Sequence, residues 1–267
     1  MLKRHQSTDG VVTYRSALLE DLGAPHAFST RLGGLSPRPF DSMNLGNPNG
    51  CAIQDLRERI RDNYAILLRT IGLEGRPWTY LHQVHGSKAI RVERGKPHNN
   101  DHKADVLVGD DPDRPLSVRV ADCVPVLLAS DDGKIVSAVH AGWRGVVAGA
   151  VIQALHEMDN WRGIKPNRVI AAIGPSICFD AFEVGPEVLD EFESALGSDA
   201  PLRRGEDGKG QVNLRQALHR QLLSAGVRPE NIDTTDRCTY THSEEFFSHR
   251  RDQGITGRMA ALIAPAR

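Results

Sequence analysis

Residues 125–140 hold two apolar runs, PVLLAS and KIVSAVH, on either side of Asp131-Asp132-Gly133. An Asp-Gly turn between such runs signals an antiparallel hairpin, and runs this apolar belong to largely buried strands. A tight turn with five or six residues per arm brings the start of one strand opposite the end of the other. Cys123 and His140 are therefore predicted to be neighbours. Beyond His140 the chain passes through Gly142-Trp143-Arg144-Gly145 into a helix predicted to begin near Gly145. Loops that leave a strand and open a helix are where ligands and chemistry concentrate.

The same alternation runs along the whole chain. PWTYL, DVLVG, LSVRV, PVLLAS, IVSAVH and RVIAAIG read as short buried strands. Residues 53–71 place Ile53, Leu56, Ile60, Tyr64, Leu67 and Ile71 at helical spacing ahead of Gly72. Further helices are predicted from Pro186 to about Leu196, before Gly197, and from an Asn213 cap to Gly226. The polar stretches 94–104 and 197–211 read as loops. No linker or internal repeat breaks the pattern. The fold class is thus α+β: a single domain over residues 1–267, a layered mixed β-sheet with flanking helices, with 1–25 as an N-terminal extension or edge strand.

A chain of 267 residues can bury a sizeable core. Its 33 basic and 34 acidic residues leave a formal charge of −1, so no basic field draws in nucleic acid. No apolar run approaches a membrane span, and MLKRHQSTDG at the start lacks a signal-type apolar segment. Cys51, Cys123, Cys178 and Cys238 are dispersed without a CxxC pair, which suits a reducing cytoplasm.

Three segments place polar residues in apolar settings: YLHQVHG with His82 and His85, RVADCVPVLL with Asp122 and Cys123, and AVHAGWRG with His140. Singly, Cys123 reads as a small buried hydrophobe and His140 as a core histidine. Together they allow two chemistries. The histidine can activate the thiol as a nucleophile, as in cysteine hydrolases. Alternatively, thiolate and imidazole are zinc ligands, with a third residue and an open water position. A closed structural zinc would want four ligands at regular spacing, and that pattern is absent. His82 and His85 are the third-ligand candidates; if the segment is a strand, their spacing puts them on opposite faces.

QVHG, ADCVPVLL, AVHAGWRG, IGPSI…FEVG and DRCTYT…FFSHRRD…TGRMAALI, with FSTRLGGLS and DSMNLG upstream, resemble in order the motifs of one family. It is the bacterial YfiH-like family, also called laccase-domain or multicopper polyphenol oxidoreductase proteins and described as purine nucleoside phosphorylases. The resemblance spans about residues 28 to 263. It implies a zinc site at His85, Cys123 and His140, thereby selecting His85 over His82, and a YfiH-like, cysteine-hydrolase-like fold. It further implies phosphorolysis of adenosine, inosine and methylthioadenosine, adenosine deamination and, for some members, peptidoglycan editing or copper-dependent phenol oxidation. Two boxes depart from the pattern: Asp180-Ala181-Phe182 replaces a Cys-Cys or Cys-Tyr pair, and Asp62-Asn63-Tyr64 replaces Glu-Asn-Arg. Thiol chemistry is accordingly not expected at Cys178, which reads as a packing residue.

Multicopper oxidases draw several His-x-His pairs into a trinuclear cluster, and this chain has none. Copper would enter only by mismetallation of the zinc site. Phosphorolysis needs a bound dianion. Arg144 and the helix start near Gly145 are candidates to hold it, with Arg31, Asn44 and Arg250 as further substrate or phosphate residues. Arg251, beside Asp252, reads as an ion pair. Deamination would use zinc-bound water with a carboxylate acid/base, for which Asp122 is a candidate. Asp122 could equally orient a ligand histidine.

Overall fold

The computed structural model describes residues 1–48 and 50–267. The chain begins with an antiparallel hairpin, β1 (Lys3–Gln6) and β2 (Val12–Arg15), then helix α1 (Ala17–Asp21) and β3 (His26–Ser29). Helix α2 (Arg57–Thr70) precedes β4 (Ala89–Val92), β5 (Val106–Gly109), β6 (Leu116–Val120), β7 (Val124–Ser130) and β8 (Val136–Ala141). Helices α3 (Trp143–Val147) and α4 (Ala150–Arg162) lead to β9 (Val169–Ile173), β10 (Glu183–Val184) and α5 (Pro186–Leu196). The chain ends through β11 (Leu202–Arg204), β12 (Gly210–Val212), α6 (Leu214–Ser224), β13 (Ile232–Asp233) and β14 (Met259–Ile263).

These strands make an α+β architecture of two large sheets and one small one. The five-stranded sheet has the order β1-β2-β3-β14-β6, the six-stranded sheet β13-β9-β7-β8-β5-β4, and the small sheet β10-β12-β11. β7 explains why its sequence is continuously apolar. Val124, Val126 and Leu128 pack towards α4, α5 and α6, whereas Leu127 and Ala129 join Phe28, Val118 and Ile263 between the two large sheets. β14 is buried on both faces too: Ala261 and Ile263 face that inter-sheet core, and Ala260 and Leu262 pack with Leu67 and Leu68 of α2. No helix among the described residues is long and apolar enough to cross a membrane.

The predicted hairpin is β7–β8, with Val124 opposite Ala141 and Pro125 opposite His140. α5 and α6 lie where the capping signals put them; the Asn213 side chain accepts the Gln216 N–H at 3.1 Å. Four local expectations need correction. α2 starts at Arg57, because Asn47 and Asp55 clasp each other through two side-chain-to-backbone bonds and hold residue 55 in the loop. Ile53 and Leu56 are consequently exposed. The helix expected from Gly145 is two helices, broken at Gly149, which adopts φ +70°. PWTYL forms only an isolated bridge, Thr79 to Leu116. Residues 197–211, expected as a loop, contribute β11 and the start of β12.

Candidate active site

His140 occupies the penultimate position of β8, where pairing with β5 brings it beside Asp105. Its Nδ1 bonds Asp105 Oδ1 at 2.8 Å. An ionised carboxylate only accepts, so Nδ1 carries a proton and Nε2 is the atom turned towards Cys123, where it could ligate a metal once deprotonated. The same carboxylate accepts the backbone N–H groups of His85 at 2.9 Å, Gly86 at 2.7 Å and Val84 at 3.2 Å. Asp105 therefore wraps the QVHG turn around itself and places His85 against His140. His85 takes φ +61° in that turn, and the two rings meet edge to face at 4.9 Å. The segment is a turn, so the opposite-face argument from strand geometry does not apply. His82 instead bridges Lys103 and is exposed.

Cys123 completes the cluster. One donor atom each from His85, Cys123 and His140 lie within 4.8 Å of one another, the one such group among the described residues. Gly142 makes this approach possible, since a Cβ there would come within 2.9 Å of Cys123 Sγ and 3.0 Å of the His85 ring. Burial pushes the Cys123 thiol up, but the charge of His140 and bonds from both histidines outweigh it and bring it to about 6. Burial likewise pushes His140 down, while the Cys123 charge and Asp105 raise it to about 9. Burial raises Asp105 as well, and its bonds to His140, Gly86 and His85 prevail to hold it below the usual carboxylate range. Two imidazoles and a readily ionised thiol are a donor set that suits a tetrahedral zinc with one open position.

The cluster opens into a cavity of about 470 Å³. Arg119, Arg144, Arg250 and Arg258 line it, against one carboxylate, Asp122. Asp122 is already engaged: Oδ1 accepts from Thr239 at 2.7 Å and Oδ2 from the Arg250 N–H at 2.7 Å. It braces the loop before β14, and it is Asp105 that orients His140. Arg144 stacks over Trp143 at 4.3 Å, and Arg250 over Phe182 at 5.2 Å while bonding the Glu183 carbonyl. The start of α3 is only one short turn of helix, too brief to supply the anion-binding terminus expected there.

Two expected substrate residues lie elsewhere. Arg31 bonds the Asp41 and Ser243 carbonyls and stacks on Phe247 at a separate surface depression. Asn44 is fully buried; its Nδ2 donates to Asp55, and its Oδ1 accepts from Gly46 and from the Arg258 N–H at 2.9 Å. Arg251 pairs with Asp252 and bonds three backbone carbonyls. Cys178 packs beside Cys238, whose Sγ accepts its N–H at 3.1 Å. Sequence reasoning missed Asp105, Arg119, His249 and Arg258. His249 stands in the FFSHRRD motif, and burial together with Arg258 holds its imidazole below the ordinary value.

Residues 25–266 match the family model described as multi-copper polyphenol oxidoreductase laccase. The purine nucleoside phosphorylase YfiH of Shigella flexneri is 39% identical over 243 residues, covering 90% of this chain and 93% of that protein. A purine nucleoside phosphorylase of Deinococcus radiodurans is 34% identical over 243 residues, covering 91% and 90%. The crystal structure of YlmD from Geobacillus stearothermophilus superposes with a TM-score of 0.89 at 30% identity, covering 99% of both chains. With the family model spanning nearly the whole chain, and fold and sequence agreeing over that length, the chain belongs to the YfiH-like, multi-copper polyphenol oxidoreductase laccase family.

Proposed function

We propose that the protein is a zinc-dependent purine nucleoside phosphorylase acting on adenosine, inosine and methylthioadenosine in the cytoplasm. One observation carries the reading: the His85–Cys123–His140 cluster opens into a small-molecule-sized cavity lined by four guanidinium groups and a single, already engaged carboxylate. Such a wall suits a dianion, and relatives along the whole chain bear the name purine nucleoside phosphorylase. A bound zinc would supply a Lewis acid at its open position. The chain's own residues do the rest. Asp105 fixes the tautomer of His140, the arginines attract phosphate, and Trp143 and Phe182 offer ring faces at the cavity wall.

Adenosine deamination finds less support, because it needs a carboxylate acid/base and Asp122 has both oxygens occupied. Phenol oxidation would require copper in the same three-ligand site, which nitrogen and sulfur donors bind tightly. A second reading has a specific observation behind it. Cys123, His140 and Asp105 also stand in the order of a Cys-His-Asp nucleophile set, with the thiol brought to about 6. That arrangement would serve a cysteine hydrolase, for instance in peptidoglycan editing.

Incubation of a nucleoside panel with and without phosphate, using metal-stripped and zinc-reloaded protein, separates the two. Release of free base that needs both phosphate and zinc is the expected result, with about one zinc per chain, lost on Cys123→Ala. Turnover that persists without metal and ceases on thiol alkylation would establish the hydrolase in its place.

A further inference from the structure

We propose that Arg119 and Arg258, neither of them prominent in the sequence, form the subsite that holds a tetrahedral oxyanion, inorganic phosphate, beside the metal centre. The inference rests on the phosphorolytic reading for the identity of the anion, and on geometry for the place. Arg119 lies on β6 and Arg258 directly precedes β14. Because Ala260 pairs with Arg119, Arg258 is a diagonal neighbour on the same face of the sheet. Both line the cavity. Both guanidinium-bearing side chains thus belong to one wall of the cavity, close enough for the charge of Arg119 to disfavour that of Arg258.

Neither makes a salt bridge with a carboxylate among the described residues, although the charges of Cys123 and Asp122 reach Arg258 across the cavity. Arg119 Nη2 donates to the Leu81 carbonyl at 3.0 Å, and Arg258 Nη1 to the carbonyls of Thr256 at 3.1 Å and Gly257 at 3.0 Å. Burial holds Arg258 below its ordinary value; the charge of Cys123 opposes this, and that of Arg119 adds to it. Among the described residues their remaining guanidinium N–H groups make no hydrogen bond. Yet both groups are held firmly. Gln83 clasps the Arg119 backbone at N–H and carbonyl, 2.8 and 2.7 Å, and Tyr80 lies under its guanidinium at 5.5 Å. Gly46 leaves room for the Arg119 methylenes, since a Cβ there would fall 2.8 Å from Cδ. Asn44 fixes Arg258 through its N–H. Neighbouring, pre-organised guanidiniums without a salt-bridge partner are what a phosphate dianion needs and what little else in a fold explains. Arg144 and Arg250, over the rings of Trp143 and Phe182, are left to the nucleoside.

The test pairs a binding measurement with kinetics, on zinc-loaded wild type, Arg258→Gln, Arg258→Lys and Arg119→Gln. Calorimetric titration with inorganic phosphate and, separately, with a nucleoside 5′-monophosphate distinguishes free phosphate from a nucleotide's phosphoryl group. Loss of one charged anchor should weaken phosphate binding, and raise the phosphorolytic KM for phosphate, about 10- to 100-fold, with the KM for nucleoside little changed. Arg258→Lys should recover part of the loss. Zinc content and melting temperature identify a misfolded variant, and the Lys substitution then carries the comparison. Wild-type phosphate affinity in the Gln and Lys variants would overturn the subsite, as would tighter binding of the monophosphate than of phosphate. Arginine-dependent phosphate binding without any phosphorolysis would leave the subsite standing and remove the functional reading instead.

Discussion

Asp105 shows how one carboxylate can set a whole site. It gathers three backbone N–H groups from the QVHG turn and the Nδ1–H of His140, so two of the three candidate metal-binding residues are aimed by one side chain. In the sequence it is only the first residue of DVLVG, a strand signal. Asp122 drew attention because it adjoins Cys123, but adjacency along the chain is a poor guide here. β5 pairs with β8 although β6 and β7 lie between them in the chain, with Val106 opposite Val139, and no local pattern reveals which strands will be neighbours. Cys123 and His140 could be singled out because unusual residues preceded or ended apolar strands, and the family resemblance chose His85 over His82; Asp105, an ordinary acid at a strand start, could not be found in either way. Asp105→Asn keeps the shape but exchanges two acceptors for an acceptor and a donor. Zinc affinity, measured against a competing chelator, should fall about 10- to 100-fold. Asp122→Asn should leave it within a few-fold, since Asp122 serves Thr239 and Arg250. Equal losses from the two substitutions would contradict this division of roles.

Among the elements, those with strong apolar or capping signals formed where expected: β5 to β9, α5 and α6. The departures have a common cause, a tertiary or side-chain contact outbidding local preference. Asn47 and Asp55 shorten α2, Gly149 splits the helix after the site, and pairing with β12 turns the polar 202–204 stretch into a strand. β3 carries a contact of the same kind. His26 accepts the Ser16 N–H at Nε2, 2.8 Å, and its Nδ1 bonds the Ala24 carbonyl at 2.9 Å, which requires a neutral ring protonated at Nδ1. Burial accordingly holds its pKa below the ordinary 6.5. The unfolded chain then binds the proton first as pH falls, so this contribution to stability is complete above 6.5 and is lost progressively below it. Melting temperature should decline between pH 7 and 5, and His26→Gln should flatten that decline while lowering stability at pH 7. An unchanged slope in the variant would show that other groups govern the acid limb.

At the scale of the molecule, the site lies where the two large sheets meet. β7, β8 and the turn held by Asp105 bring His85, Cys123 and His140 from the six-stranded side; β6 and the start of β14 bring Arg119 and Arg258 from the five-stranded side. That convergence of five segments is invisible in periodicity, which reports only which face of each element is buried. The ordered family motifs carried the ligand set instead, because a motif records the outcome of folding rather than its local causes. A metal at this junction would tie the QVHG turn to the β7–β8 hairpin, a tertiary cross-link that the unfolded chain lacks. Binding to the folded state alone stabilises by RT ln(1 + [L]/Kd), about 4 kcal/mol when zinc is at a thousandfold its Kd. For a domain of this size each kcal/mol moves Tm by roughly 2–4 °C, so zinc should raise the melting temperature of the stripped protein by about 10 °C. Cys123→Ala should melt near the stripped wild type and ignore added zinc. If zinc instead stabilises Cys123→Ala as much as wild type, the ion binds elsewhere and the junction is held by packing alone.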